Sequence, residues 1–132
     1  MHDRAHSSFN IKTWEESPTD DLQEGQKINR ARVVKSYSGG LAGEGVVEYL
    51  MAYVSESEAE FVGIEYFTGA VDGRKGSFMF RNTGTFSAGV VNSVWEVVNG
   101  SGRGELEGIS GTVRFEAGHQ DEYEFTFDYE LP

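Results

Sequence analysis

Apolar and polar residues alternate with a period of two along most of the chain, and short polar or glycine-containing stretches interrupt the pattern. Phe9, Ile11 and Thr13 alternate with Asn10, Lys12 and Trp14, which predicts a first strand beginning at Phe9. The segment Glu15–Glu24 carries five carboxylates, Pro18 and no positive charge, so it reads as a solvated connection. A turn over Thr19–Gln23, capped by Asp20, is the only helical signal. Further strands are predicted over about Gln26–Ser38, Gly45–Val54, Glu60–Ala70, Arg74–Phe86, Val90–Asn99, Thr112–Ala117 and Glu122–Glu130. Eight consecutive strands with short turns make an antiparallel meander, and closing it into a barrel removes the exposed edges. The expected fold is therefore all-β, a closed eight-stranded antiparallel barrel over residues 9–132, preceded by a flexible polar tail over residues 1–8.

Hairpin geometry sorts the residues by face. Asp72-Gly73 suits a two-residue turn needing positive φ at both central positions. It sets Phe67 opposite Phe78, Glu65 opposite Phe80 and Gly63 opposite Asn82. Ala88-Gly89 sets Asn82 opposite Trp95 and Phe80 opposite Val97. Cross-strand partners share a face, so Phe61, Phe67, Phe78, Phe80, Val91, Trp95 and Val97 point inward with Glu65 and Asn82. Val47, Tyr49, Met51 and Tyr53 extend this face, and Val113, Phe115, Tyr123, Phe125, Phe127 and Tyr129 complete it. The opposite face of the third, fourth and sixth strands carries Val46, Leu50, Val62, Ile64, Tyr66, Val90 and Val94. That is too apolar for a solvated wall, and it predicts a cover by the N-terminal segment or by another subunit, the second being preferred. A homodimer or higher homo-oligomer is expected.

Glu65 and Asn82 stand out inside. A buried carboxylate must be paired, protonated or wet, and Tyr49 lies close by on the neighbouring strand. One reading is a polar cluster in an apolar cavity, as a small-molecule site requires. The other is a barrel-mouth carboxylate or a structural hydrogen bond to Tyr49.

Charge and composition narrow the partners. With 22 acidic and 11 basic residues the chain carries a net charge of −11, which disfavours nucleic acid and anionic membrane surfaces. The absence of cysteine removes disulfides, thiolate metal sites and a cysteine nucleophile. Met1–Ser8 has no apolar run, so no signal peptide is expected and a cytoplasmic location follows. No metal site or cofactor is expected. His119 reads as a solvated turn residue. The glycines at 100, 102, 104, 108 and 111 have the wrong spacing for a phosphate loop and no following helix, so they read as tight turns at a barrel corner.

The stretches VVEYLMAY (46–53), FVGIEYFTG (61–69), GRKGSFMFRNTGTF (73–86) and GSGRGELEGISG (100–111) resemble the bacterial domain-of-unknown-function 3224 family. That family is similar in fold to plant allene oxide cyclase and the dirigent proteins. The resemblance implies an allene oxide cyclase-like barrel that works without a cofactor. The cyclase uses a glutamate and an asparagine inside its barrel, and Glu65 and Asn82 are chemically alike. Fold likeness does not transfer a reaction, so three expectations stand. The first is binding of a small apolar or amphipathic molecule, lined by Tyr49, Tyr53, Phe67, Phe80, Trp95 and Phe127. The second is a cofactor-free cyclase or isomerase with Glu65 as general acid or base, assisted by Asn82. The third is a structural or partner-binding barrel with a filled core.

Overall fold

The computed structural model describes residues 2–21 and 25–132. Its strands are β1 (His2–Asp21), β2 (Lys27–Gly39), β3 (Leu41–Tyr53), β4 (Glu58–Val71), β5 (Arg74–Ser87), β6 (Val90–Val97), β7 (Arg103–Gly104), β8 (Ser110–Ala117) and β9 (Tyr123–Glu130). Eight of them form a closed antiparallel meander, sealed by the pairing of β9 with β1. The two-residue β7 is an extra strand laid on Gly76 and Ser77 of β5. Among the described residues no helix is long and apolar enough to cross a membrane.

The turn chemistry sets the registers that the hydrophobic pattern implies. Asp72 and Gly73 have φ of 47° and 86°, and Ala88 and Gly89 have φ of 51° and 80°. Phe67 then pairs with Phe78, Glu65 with Phe80, and Asn82 with both Gly63 and Trp95.

Two sequence expectations fail at β1. Residues 2–8 are barrel wall instead of a tail. His2–Phe9 pairs with Tyr123–Glu130 residue by residue, and Ala5 and Ser7 are buried. The polar composition misleads because the inward positions here are small, and Ser7 Oγ accepts a hydrogen bond from the Leu41 amide at 2.8 Å. Glu15–Asp21 is likewise strand, paired with Lys27–Arg32 of β2. The predicted turn at Thr19–Gln23 is strand as far as Asp21, and its remainder lies outside the described residues.

A register shift between Ile11 and Thr13 changes which side chains face inward. Ile11 pairs with Lys35, whereas Trp14 pairs with the buried Val33 and Glu16 with the buried Ala31. Trp14, expected on the outer face by simple alternation, therefore lies on the inner one.

The interior is filled at one end and open at the other. At the filled end Phe67, Phe78, Phe80, Phe127 and Tyr129 interlock, with ring centroids 4.9–5.8 Å apart. Leu41, Val71, Leu106, Ile109 and Leu131 join the same buried cluster. The glycine-rich segment folds tightly there: a Cβ on Gly102 would lie 2.1 Å from the Leu106 carbonyl oxygen, and one on Gly76 would lie 2.0 Å from that of Arg103.

Candidate functional site

The open end of the barrel holds a cavity of about 710 Å³. Its floor and walls include Phe9, Ile11, Val33, Lys35, Tyr49, Met51, Phe61, Val91, Ser93 and Trp95. Trp14, Glu16, Tyr53 and the β8–β9 turn residues Gly118–Asp121 stand around the mouth. Of the expected lining residues, Tyr49, Tyr53 and Trp95 are in place. Phe67, Phe80 and Phe127 are not, because each packs against other rings in the filled half.

Glu65 and Asn82 point inward as expected, but both are fully buried and neither lines the cavity. Glu65 is held by a partner that sequence reading missed. The Lys35 ammonium donates to its Oε1 at 3.0 Å, with the two side chains 3% and 0% exposed. Tyr37 donates its hydroxyl to Oε2, and Asn82 Nδ2 approaches Oε1 at 3.4 Å. Lys35 and Glu65 belong to β2 and β4, with β3 between them. They meet because Gly45, paired with both Lys35 and Phe67, leaves an empty place on β3. A Cβ on Gly45 would lie 2.2 Å from Glu65 Oε2 and 2.8 Å from the Tyr37 ring.

The Lys35 ammonium lies on the cavity floor, 4.2 Å from the Trp95 ring centroid and 4.8 Å from that of Phe9. Tyr49 also acts on its charge. Burial is the largest single influence on this amine and opposes its charge. Glu65 and Tyr49 together outweigh burial and hold its pKa above the ordinary lysine value. The floor group is thus an ammonium, donor only. At the mouth, Glu16 accepts from Trp14 Nε1 at 2.9 Å, from Tyr53 Oη at 3.2 Å and from Asn29 Nδ2.

A signal for Lys35 was present in the sequence. Arg30 and Arg32 must face solvent, so Ala31, Val33, Lys35 and Tyr37 must face inward. For Glu16 there was none, because the register shift at Lys12 leaves no mark in the hydrophobic pattern.

The tyrosines make stability depend on alkaline pH. Burial, then the charge and hydrogen bond of Glu65, push the Tyr37 phenol well above its usual range. Burial also raises Tyr49, and burial with the Asp72 hydrogen bond pushes Tyr129 up to about 12. In each case the folded state keeps a proton that the unfolded state releases from about pH 10 upward. The stabilisation is complete below that point and is lost as pH rises through the folded-state values. The urea midpoint should fall steeply between about pH 10 and pH 12, and Tyr37→Phe should make the fall shallower. A midpoint that stays flat over that range contradicts this account.

The family model described as "Protein of unknown function (DUF3224)" matches residues 5–129. A crystal structure of a DUF3224-family protein of unknown function from Shewanella oneidensis MR-1 is similar, with a TM-score of 0.80 and 24% identity. The match covers 100% of this chain and 99% of that one. No curated protein matches the chain. With the family model spanning nearly all of the barrel, the chain belongs to the DUF3224 family.

Proposed function

We propose that the protein binds a small, ring-bearing amphipathic molecule in the open half of the barrel. The observation that carries this reading is the aromatic-walled cavity of about 710 Å³ with one ammonium on its floor. Lys35 is the only lysine or arginine among the described residues lining it. Because Glu65 already balances that charge, an anionic ligand would leave a net negative charge buried in a chain of net charge −11. A neutral hydrogen-bond acceptor, such as a ketone or ether oxygen, carries no such penalty. The ligand's acceptor meets Lys35, its apolar body lies against Phe9, Trp95, Met51 and Phe61, and its wetter end stays near Glu16.

Calorimetric titration with 2-acetylnaphthalene, 2-ethylnaphthalene and 2-naphthoate tests this reading. The ketone should bind at least about tenfold more tightly than the other two, as a hydrogen bond from a charged donor predicts. Equal binding of ketone and hydrocarbon overturns the role of Lys35. Binding of none overturns the cavity reading.

A cofactor-free cyclase or isomerase is the second reading, and one observation supports it: the Lys35 ammonium on the cavity floor, held charged by Glu65, would stabilise negative charge developing on a substrate oxygen. Glu65 would then position Lys35 and would not touch substrate, because its carboxylate has no access to the cavity. The likeness to allene oxide cyclase is an analogy of motifs and of closed-barrel architecture, and it supports this reading only to that extent.

A further inference from the structure

The two ends of the cavity differ in charge. On the floor, the Lys35 ammonium is already balanced by Glu65. The two carboxylates of the lining, Glu16 and Asp121, both stand at the mouth. The register shift between Ile11 and Thr13 is what turns Glu16 inward, since it sets Glu16 opposite the buried Ala31. Its carboxylate is then fixed by neutral donors alone. Trp14 Nε1 donates to Oε1 at 2.9 Å, and Tyr53 Oη, at 3.2 Å, and Asn29 Nδ2 both donate to Oε2. A carboxylate offers about four acceptor sites, so one remains on Oε1. Among the described residues no cation forms an ion pair with Glu16. Lys27 lies instead against the Tyr53 ring, 4.7 Å from its centroid.

We infer that the cavity's ligand carries a cationic nitrogen at its outer end, bound by Glu16, as well as the neutral oxygen acceptor that meets Lys35. This inference rests on the cavity reading proposed above and narrows it to amino ketones or amino ethers. An ammonium supplies the donor that Oε1 lacks and the positive charge that the mouth lacks, in a charge-assisted hydrogen bond. It also comes up beside the rings of Trp14 and Tyr53, which carry two of the donors holding Glu16. A hydroxyl would fill the same acceptor site but leave the negative charge unbalanced. Spacing sets the length of the ligand. Glu16 pairs with Ala31, and Lys35 is four residues further along β2, roughly 13 Å at the rise of a strand. A two-ring body with one polar group at each end spans a distance of that order.

Calorimetric titration at low ionic strength, with 2-acetylnaphthalene and its 6-aminomethyl and 6-hydroxymethyl derivatives, tests this on the full chain and on Glu16→Gln and Asp121→Asn. On the wild type the aminomethyl compound should bind at least about fivefold more tightly than the parent ketone, and the hydroxymethyl compound no more than about twofold. Glu16 is exposed, so Glu16→Gln should fold. It should erase the gain of the amine and leave the affinity of the parent ketone within about twofold. Asp121→Asn should keep most of that gain. If the parent ketone binds but the amine gains nothing, or its gain survives Glu16→Gln, this inference fails and the cavity reading stands. An equal gain from the hydroxymethyl compound overturns the demand for charge. An Asp121→Asn that erases the gain as fully as Glu16→Gln overturns the assignment to Glu16. Binding of none of the three compounds overturns both readings.

Discussion

Glu65→Gln should cost roughly 3–5 kcal/mol of stability, the usual penalty for removing one partner of a buried ion pair. Lys35 would be left buried at 3% exposure with no counter-charge, against the faces of Trp95 and Phe9. Glutamine can still accept from Tyr37 and Lys35, so the loss measures the charge more than the hydrogen bonds. Lys35→Met should cost a similar amount, since it strands the carboxylate. The double variant Lys35→Met/Glu65→Gln should be more stable than either single one, because no uncompensated charge remains. Urea unfolding of the four proteins measures the coupling. A neutral or stabilising Glu65→Gln would mean that the carboxyl is already protonated and that no ion pair lies beneath the cavity.

The ion pair also marks where the sequence was readable and where it was not. Local geometry was legible. Asp72-Gly73 and Ala88-Gly89 allow one two-residue turn each, and each turn fixes a register that alternation then carries along both strands. Glu65, Asn82 and Trp95 fell on the inner face for that reason. What joins distant strands was not legible. Lys35 and Glu65 are 30 residues apart and meet only because Gly45 leaves the intervening strand bare. A lysine within a strand is also read as solvent-facing unless its neighbours are weighed. The division of the interior into a packed half and an open half depends on Leu106 and Ile109 closing one end. No periodicity in a glycine-rich connection announces such a closure.

Removing residues 1–8 should abolish cooperative folding. Read as a polar tail, the segment would be dispensable. Read as the first half of β1, it closes the barrel. His2–Ser8 pairs with Glu124–Glu130 of β9, and the His6 carbonyl accepts from the Gly40 amide at 2.9 Å. Ser7 Oγ also accepts from the Leu41 amide at the β2–β3 turn. At a net value of roughly 0.5–1.5 kcal/mol for each hydrogen bond, a ladder of this length amounts to several kcal/mol. The total stability of a domain is only about 5–15 kcal/mol. The truncated chain would also uncover Phe127 and Tyr129, both now buried, and leave β9 as an open apolar edge, which invites association with other chains. Circular dichroism and urea titration of the truncated protein should show no cooperative transition, with aggregation at micromolar concentration. A truncated protein that unfolds at the wild-type midpoint would mean that this half of β1 contributes nothing to closure.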